Sequence, residues 1–139
     1  MATLRFLEEG EASQEVQDLY RQIKAGFGAG QVPNVYKVLA NNPHVLAAAV
    51  DNRRRIMEEG QLDPKLKEWL AWATVTLANN VFGIKIHTAR LKKLGVSSGE
   101  ILEALAALQY FTGISTVING LAMAEDVDPN VLEYLRQTP

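Results

Sequence analysis

The sequence predicts an all-α protein, and three observations support this prediction. Apolar residues recur at intervals of three and four along successive segments, which is the spacing of one face of an α-helix. Helix start and stop signals separate these segments, for example Asp63 before Pro64, and Gly95 after an apolar run. Apolar and polar residues nowhere alternate for more than four residues, so no strand is expected.

The N-terminal half should contain three helices. Ser13 is a suitable cap for a helix that ends near residue 25, and the three glycines within residues 26–30 predict a loop. A short helix is expected over residues 32–40, with Asn34 as its cap. A long helix then follows from Pro43 to Glu59 and stops at a glycine.

The C-terminal half should be built around two antiparallel helices, at residues 64–78 and 81–94, joined by a pair of asparagines. The spacing of Ser97 and Glu100 predicts a capping box for the next helix. That helix is expected to bend near Gly113 and to end before Asp126. A final short helix should occupy residues 129–136, and the whole chain of 139 residues fits one domain.

Composition excludes several functions. There is no cysteine, so disulfides, thiolate metal sites and thiol catalysis are excluded. A net charge of −2 gives no reason to expect nucleic-acid binding. No signal peptide is visible, and no apolar segment is expected to reach the roughly 20 residues that a membrane span needs. We therefore expect a cytoplasmic protein with no membrane or nucleic-acid partner and no cofactor.

Two ionisable residues stand out against the apolar background of the central helices. Glu68 lies near the start of the first helix and His87 near the middle of the second, so the two could face one pocket. Asn80, Gly83, His87 and Arg90 fall on one face of the second helix. Glycine within a helix costs about 1 kcal/mol relative to alanine. Gly83 therefore indicates either close packing of another backbone or room for a ligand.

Two other features have simpler interpretations. Three successive arginines, Arg53–Arg55, point in three directions from a helix, which favours a solvated face over a phosphate site. Trp69 and Trp72 could line a ligand pocket, but large aromatic residues on a helix belong more often to a core or an interface.

The segment from Lys67 to Ala124 resembles the carboxymuconolactone decarboxylase family, and more closely its alkylhydroperoxidase D-like branch. That branch has a Glu near a helix start, a C-x-x-C pair about twelve residues later, and a His four residues after the second Cys. Glu68 and His87 match the Glu and the His. Two further blocks are similar to the family's, H87-T-A-R-L-K-K-L-G-V-S-S-G-E-I-L-E-A-L105 and Y110-F-T-G-I-S-T-V-I-N119. With the upstream half, the resemblance covers about residues 15–126 and implies an oligomeric helical bundle.

The sequence departs from that branch at both cysteines. Asn80 and Gly83 occupy the two cysteine positions, and Phe82 stands where the branch often has Tyr. In the family's peroxidases, the resemblance implies, Glu and His relay protons to the thiols that do the chemistry. Neither an amide nor a glycine can replace a thiolate, so thiol peroxidase activity is not expected.

Two functions remain open. The first is an acid–base enzyme, a lyase, decarboxylase or isomerase acting on a small organic acid or carbonyl compound. His87 would be its base or acid, Glu68 would orient or stabilise the imidazole, and Asn80 would donate to an oxyanion. Gly83, Phe82 and Trp72 would line the pocket. The alternative is a non-catalytic binding or structural oligomer, natural or engineered to lack cysteine. A metal at two such ligands would need further ligands from a neighbouring chain.

Self-association is expected because two helices are apolar on more than one face. The segments 100–124 and 66–77 carry apolar residues around most of their circumference. A chain of this length cannot cover both on every side, and copies of the chain are the simplest cover. We expect a homotrimer or hexamer with Trp69, Trp72 or Tyr110 near a subunit boundary, and with the His87 pocket completed by a neighbouring chain.

Overall fold

The computed structural model describes residues 2–123 and 127–137, and within them the protein is all-α. About 74% of these residues are helical and none of them forms a strand, which confirms the predicted fold class. A short 3₁₀ turn at Glu9–Glu11 precedes the first α-helix. The helices are α1 Gln14–Phe27, α2 Asn34–Leu39, α3 Pro43–Glu58, α4 Pro64–Leu77, α5 Val81–Lys93, α6 Ser98–Gly120 and α7 Pro129–Gln137.

Side-chain caps fix where most of these helices begin. The Ser97 hydroxyl accepts a hydrogen bond from the Glu100 backbone N–H at 3.1 Å, and the Glu100 carboxylate accepts one from the Ser97 N–H at 2.7 Å. This pair is the predicted capping box. Asp63 caps α4 through Oδ1, which accepts from two backbone N–H groups. Asn42 caps α3 in the same way, immediately before Pro43.

Two helix boundaries lie two residues from their predicted positions, at the end of α1 and the start of α2. The predicted glycine loop begins two residues late, because α1 includes Gly26 and ends where Gly28 adopts the left-handed conformation (φ 58°). Asn34 is the first residue of α2, and its predicted capping position is occupied by Pro33. Helix α6 continues through Gly113, and the bend expected there stays a prediction. The helix ends at Gly120, before Asp126, as predicted.

The chain divides into two compact units, and the expectation of a single domain stays a prediction. In the first unit, Met1–Glu68, helix α3 packs against α1 and α2. The buried side chains of its core are those of Ala12, Val16, Tyr20, Ile23, Val32, Ala40 and Leu46. The Tyr20 hydroxyl donates to the Leu7 carbonyl at 2.7 Å, which fastens the N-terminal segment to α1. Burial raises the pKa of the Tyr20 hydroxyl, and the nearby Glu8 and Glu9 carboxylates add to the effect.

The second unit, Trp69–Pro139, has its own core of Trp72, Leu91 and Val96. Helix α4 ends in a Schellman-type turn: Asn79 is left-handed (φ 54°), and the Asn80 N–H donates to the Val75 carbonyl at 2.9 Å. The chain then reverses into α5, so that Trp72 contacts Thr88 while Val75 contacts Gly83. Contacts in this order mean that the two helices are antiparallel, as predicted.

Helix α6 presents an unusual amount of apolar surface. None of its residues is buried, and Leu102, Tyr110 and Phe111 are each 65% exposed. By length and composition alone α6 could cross a membrane, contrary to the expectation that no segment could. The sequence pattern did not reveal this apolar length because serine, threonine and glycine interrupt the apolar residues of α6 without adding charge. The core helices of soluble proteins meet the same criterion, so it does not decide between the two environments.

Candidate functional site

Glu68 is the one buried charged or polar residue in the described ranges 2–123 and 127–137. It lies in the second turn of α4 and is only 4% exposed. Taking a carboxylate out of water is costly unless other groups compensate for the lost hydration. Glu68 also lies four residues before Trp72, so the two side chains project from the same side of α4. A residue of this kind is unusual at a position that serves packing alone.

His87 is half-buried near the middle of α5, one turn after Gly83. Its neighbour Thr88 anchors this part of the helix to α4. The Trp72 indole Nε1–H donates a hydrogen bond to the Thr88 Oγ1 at 2.9 Å, and Trp72 itself is only 2% exposed. This bond sets the rotation of α5 against α4 at the turn that carries His87.

Val75 fills the space beside Gly83. A Cβ built on Gly83 would lie 2.8 Å from Val75 Cγ1 and 3.0 Å from Val75 Cβ, closer than two carbon atoms can pack. Gly83 is itself buried, at the third position of α5. Of the two interpretations of this glycine, close packing is therefore correct, although a side chain rather than a backbone makes the contact. The room for a ligand that was predicted at Gly83 is occupied by valine.

Asn80 is the N-cap of α5. Its side-chain Oδ1 accepts a hydrogen bond from the Gly83 backbone N–H at 2.9 Å, and the residue is exposed. The cap uses the amide oxygen, an acceptor, whereas the two N–H donors of Nδ2 take no part in that bond. Phe82, at the second position of α5, is 53% exposed.

The predicted site residues thus have different environments. Trp72 belongs to the core of the second unit and Phe82 is exposed, and their place in a pocket wall stays a prediction. Asn80 and Gly83 are joined by the cap. The functional pairing of Glu68 with His87 stays a prediction. Among the described residues no group of three or more His, Asp or Glu side chains could hold a metal ion.

Sequence reasoning missed two residues at this site, Thr88 and Val75. A signal for Thr88 was present, because a buried tryptophan usually needs a partner for its N–H, and a hydroxyl on the facing helix is a natural one. No such signal marks Val75. Its contact with Gly83 depends on the register of the two helices, which the sequence pattern does not fix.

Comparison with known proteins agrees with this architecture. The family model described as "Carboxymuconolactone decarboxylase family" matches residues 43–126, more than half of the chain. Among solved structures, the chain is similar to the alkylhydroperoxidase AhpD core from Rhodospirillum rubrum, with 30% sequence identity and a TM-score of 0.82. That match covers 95% of this chain and 98% of the other. None of the curated proteins compared with the chain matches it significantly.

Proposed function

Because the chain belongs to the carboxymuconolactone decarboxylase family, we propose that it is an acid–base enzyme that acts without thiols on a small organic acid or carbonyl compound. The observation that carries this proposal is the buried carboxylate of Glu68, 4% exposed on α4. A fold selected for packing alone would place an apolar residue there, since a buried charge rarely adds stability. A buried carboxylate is instead typical of sites that control proton transfer.

The absence of thiol chemistry in this proposal has two supports. The chain contains no cysteine, and a sulfur-bearing side chain at position 83 would collide with Val75. The second thiol position of the family's redox branch is therefore closed sterically as well as changed chemically. Any catalysis has to use the groups that remain on α4 and α5.

In the proposed reaction, the His87 imidazole removes a proton from a carbon beside a carbonyl or carboxyl group and later returns it. Histidine suits this step because it gains and loses a proton near neutral pH. The Glu68 carboxylate stabilises the imidazolium that forms in between. Asn80 donates through Nδ2 to the oxyanion that develops on the substrate.

We predict that His87→Gln abolishes proton exchange on substrate-like compounds. A thermal-shift screen of small organic acids and lactones would first identify compounds that stabilise the wild-type chain. Each such compound is then placed in D₂O, and NMR measures deuterium incorporation beside its carbonyl. Removal of the general base should slow exchange by at least about a hundredfold. Glu68→Gln, which keeps the shape but removes the charge, should slow exchange while leaving compound binding in place.

His44→Gln is the matched control, because His44 is the other histidine of the chain and is exposed at the start of α3. It should leave exchange unchanged. Equal exchange by the wild-type and His87→Gln proteins would contradict the proposal. A wild-type protein that neither binds nor exchanges any compound of this class would do the same.

A second candidate function, a non-catalytic binding or structural oligomer, is favoured by different observations. Val75 fills the space beside Gly83, and α6 leaves long apolar side chains exposed in the single chain. In this version Glu68 and His87 serve only to hold the helices of the fold. The exchange experiment separates the two functions, because only the enzyme loses a measurable rate when His87 is replaced.

Both functions include self-association through α6. We propose a trimer or hexamer of a soluble, cytoplasmic protein, with the exposed Tyr110 near the boundary. Trp69 and Trp72 are the alternatives to Tyr110 at this boundary, and Trp72 is only 2% exposed within the chain. Light scattering should give a multiple of the 15.3 kDa chain mass, and Leu102→Glu should reduce it. Val35→Glu is the control, since Val35 is an exposed apolar residue on α2. A monomer mass for the wild type, or its recovery only from membranes, would contradict this arrangement.

A further inference from the structure

The first compact unit contains a cleft that plays no part in the proposed reaction. It lies between the end of α1, α2 and the second half of α3, and its volume is about 520 Å³. Ile23, Phe27, Tyr36 and Val50 supply apolar lining, and Arg53 supplies a positive charge. Binding sites for small molecules usually combine these two properties: an apolar wall and a few well-placed polar groups. The volume is also within the usual range for such sites.

Arg53 differs from the two arginines that follow it. Its guanidinium carbon lies 4.1 Å from the centre of the Phe27 ring, and its side chain is only 20% exposed. Phe27 in turn meets Tyr36 edge to face, with ring centres 5.7 Å apart. The stacking fixes the plane of the guanidinium at the wall of the cleft.

Arg54, at the rim of the cleft, and Arg55 are both exposed and make ion pairs with nearby carboxylates. Arg54 pairs with Asp51 and Glu59, and Arg55 pairs with Asp51 at 2.8 Å. The hydrogen bond from Arg54 is the main cause that lowers the pKa of the Asp51 carboxyl. The predicted solvated face is therefore correct for these two arginines and wrong for Arg53.

The ion pair between Arg53 and Glu58 is weak. Glu58 Oε1 lies 3.9 Å from Arg53 Nη1, at the outer limit of an ion pair, and the Glu58 side chain is 54% exposed. An exposed pair at this distance contributes little stability. A better-placed carboxylate could therefore replace Glu58 as the partner of this guanidinium and accept two parallel hydrogen bonds from the N–H groups at its edge.

We propose that this cleft binds a small carboxylic acid with a flat or short apolar body. Its carboxylate pairs with Arg53 in place of Glu58, and its apolar body lies against Phe27, Tyr36 and Ile23. The inference does not depend on the proposed function, because every residue it uses lies on α1, α2 or α3. An organic cation fits less well, since Arg53 and Arg54 both line the cleft against the single carboxylate of Glu58.

The test measures binding of benzoate and hexanoate to the full chain by calorimetry and by NMR chemical-shift changes. Benzyl alcohol serves as the uncharged probe and benzylamine as the cationic one. Both acids should bind at millimolar concentration, and both should shift the signals of Phe27 and Tyr36. Arg53→Gln should weaken binding by about tenfold or more, because it removes a charge-assisted pair. Arg55→Gln, which removes the same charge from the exposed side of α3, should change affinity by less than about twofold.

Glu58→Gln gives a gain-of-binding test on an exposed residue, which protects the result against a poorly folded Arg53 variant. Removing the competing carboxylate should tighten binding of benzoate by about threefold or more. The chemical-shift changes of Phe27 and Tyr36 report on this cleft, which separates binding here from binding at the candidate site on α5. The proposal is overturned if benzoate fails to bind, or if benzyl alcohol or benzylamine binds as tightly as benzoate. It is also overturned if Glu58→Gln leaves the affinity for benzoate unchanged, or if Arg53→Gln and Arg55→Gln change that affinity equally.

Discussion

Replacing Trp72 with alanine should lower the free energy of unfolding by about 3–5 kcal/mol, the largest single effect expected in the second unit. Trp72 is 2% exposed and forms the core of that unit with Leu91 and Val96. The truncation removes this buried ring, leaves a cavity between α4 and α5, and breaks the hydrogen bond to Thr88. Urea unfolding at one fixed protein concentration measures the change, since self-association would otherwise alter the midpoint.

Two conservative variants divide this effect between packing and hydrogen bonding. Thr88→Val keeps the volume but leaves the Trp72 N–H buried without its acceptor, at a cost of about 1–3 kcal/mol. Trp72→Phe removes the donor as well, along with part of the ring. Leu70→Ala is the control on the same helix, because Leu70 is 52% exposed and its loss should cost less than about 0.5 kcal/mol. A Trp72→Ala protein as stable as Leu70→Ala would contradict the packing described for this unit.

The Thr88 variant also connects the fold with the proposed function. Thr88 directly follows His87, and its bond to Trp72 sets the rotation of α5. Thr88 therefore positions the histidine without contacting substrate in the proposed reaction. If that role is correct, Thr88→Val should reduce the rate of proton exchange more than it reduces compound binding. A variant with normal exchange would leave the Trp72–Thr88 bond with a structural role only.

The positions of the helices could be predicted from the sequence because their signals are local. A cap such as Asp63, or the box formed by Ser97 and Glu100, acts within three residues of the helix start. The errors at Gly26 and Asn34 are of one or two residues, which is how far a helix end can move when several residues tolerate the boundary conformation. The all-α class and the antiparallel central helices followed from the same local signals.

The environment of the site residues could not be predicted in the same way, because it depends on which side chain faces which. Gly83 carried two opposite interpretations, and only the register of α5 against α4 places Val75 over it. The donor role expected of Asn80 concerns Nδ2, and the capping of α5 by its Oδ1 is an additional role that the sequence did not indicate. Asn80 is polar, Gly83 is small, and both lie at the start of a helix. At such positions capping and packing explain these residue types as readily as catalysis does.

The arginine run shows the same limit in the first unit. Charge patterning on one helix predicted a solvated face for Arg53–Arg55, and it describes Arg54 and Arg55 correctly. Arg53 differs because Phe27, at the end of α1, lies beneath its guanidinium. That contact links residues 26 positions apart in the chain on packed helices, so no local pattern could reveal it.

Gly83→Ala should destabilise the protein although alanine is the better helix former. Alanine in a helix gains up to about 1 kcal/mol over glycine, but the new methyl group would lie 2.8 Å from Val75 Cγ1. Overpacking of this kind costs about 1–3 kcal/mol, and the β-branched Val75 has little rotamer freedom with which to move away. Gly113→Ala is the matched control, because Gly113 lies within α6 with open space around its Cβ position. It should stabilise the protein, so the two substitutions should act in opposite directions in urea unfolding.

Shortening Val75 provides the decisive comparison. The double variant Val75→Ala and Gly83→Ala removes the closest contact, Cγ1 at 2.8 Å, but keeps the Cβ of residue 75 at 3.0 Å. The clash is therefore relieved in part, and the coupling free energy between the two positions should be about 1 kcal/mol. The same reasoning applies to the thiols of the family's redox branch. Asn80→Cys with Gly83→Cys should be unstable and inactive with hydroperoxides in the presence of a dithiol, because the second sulfur-bearing side chain has no space. Adding Val75→Ala should recover part of the stability of that variant, because it removes the contact at 2.8 Å and keeps the one at 3.0 Å. Additive effects at positions 75 and 83, or a stable cysteine pair with valine still in place, would show that Val75 does not close this position.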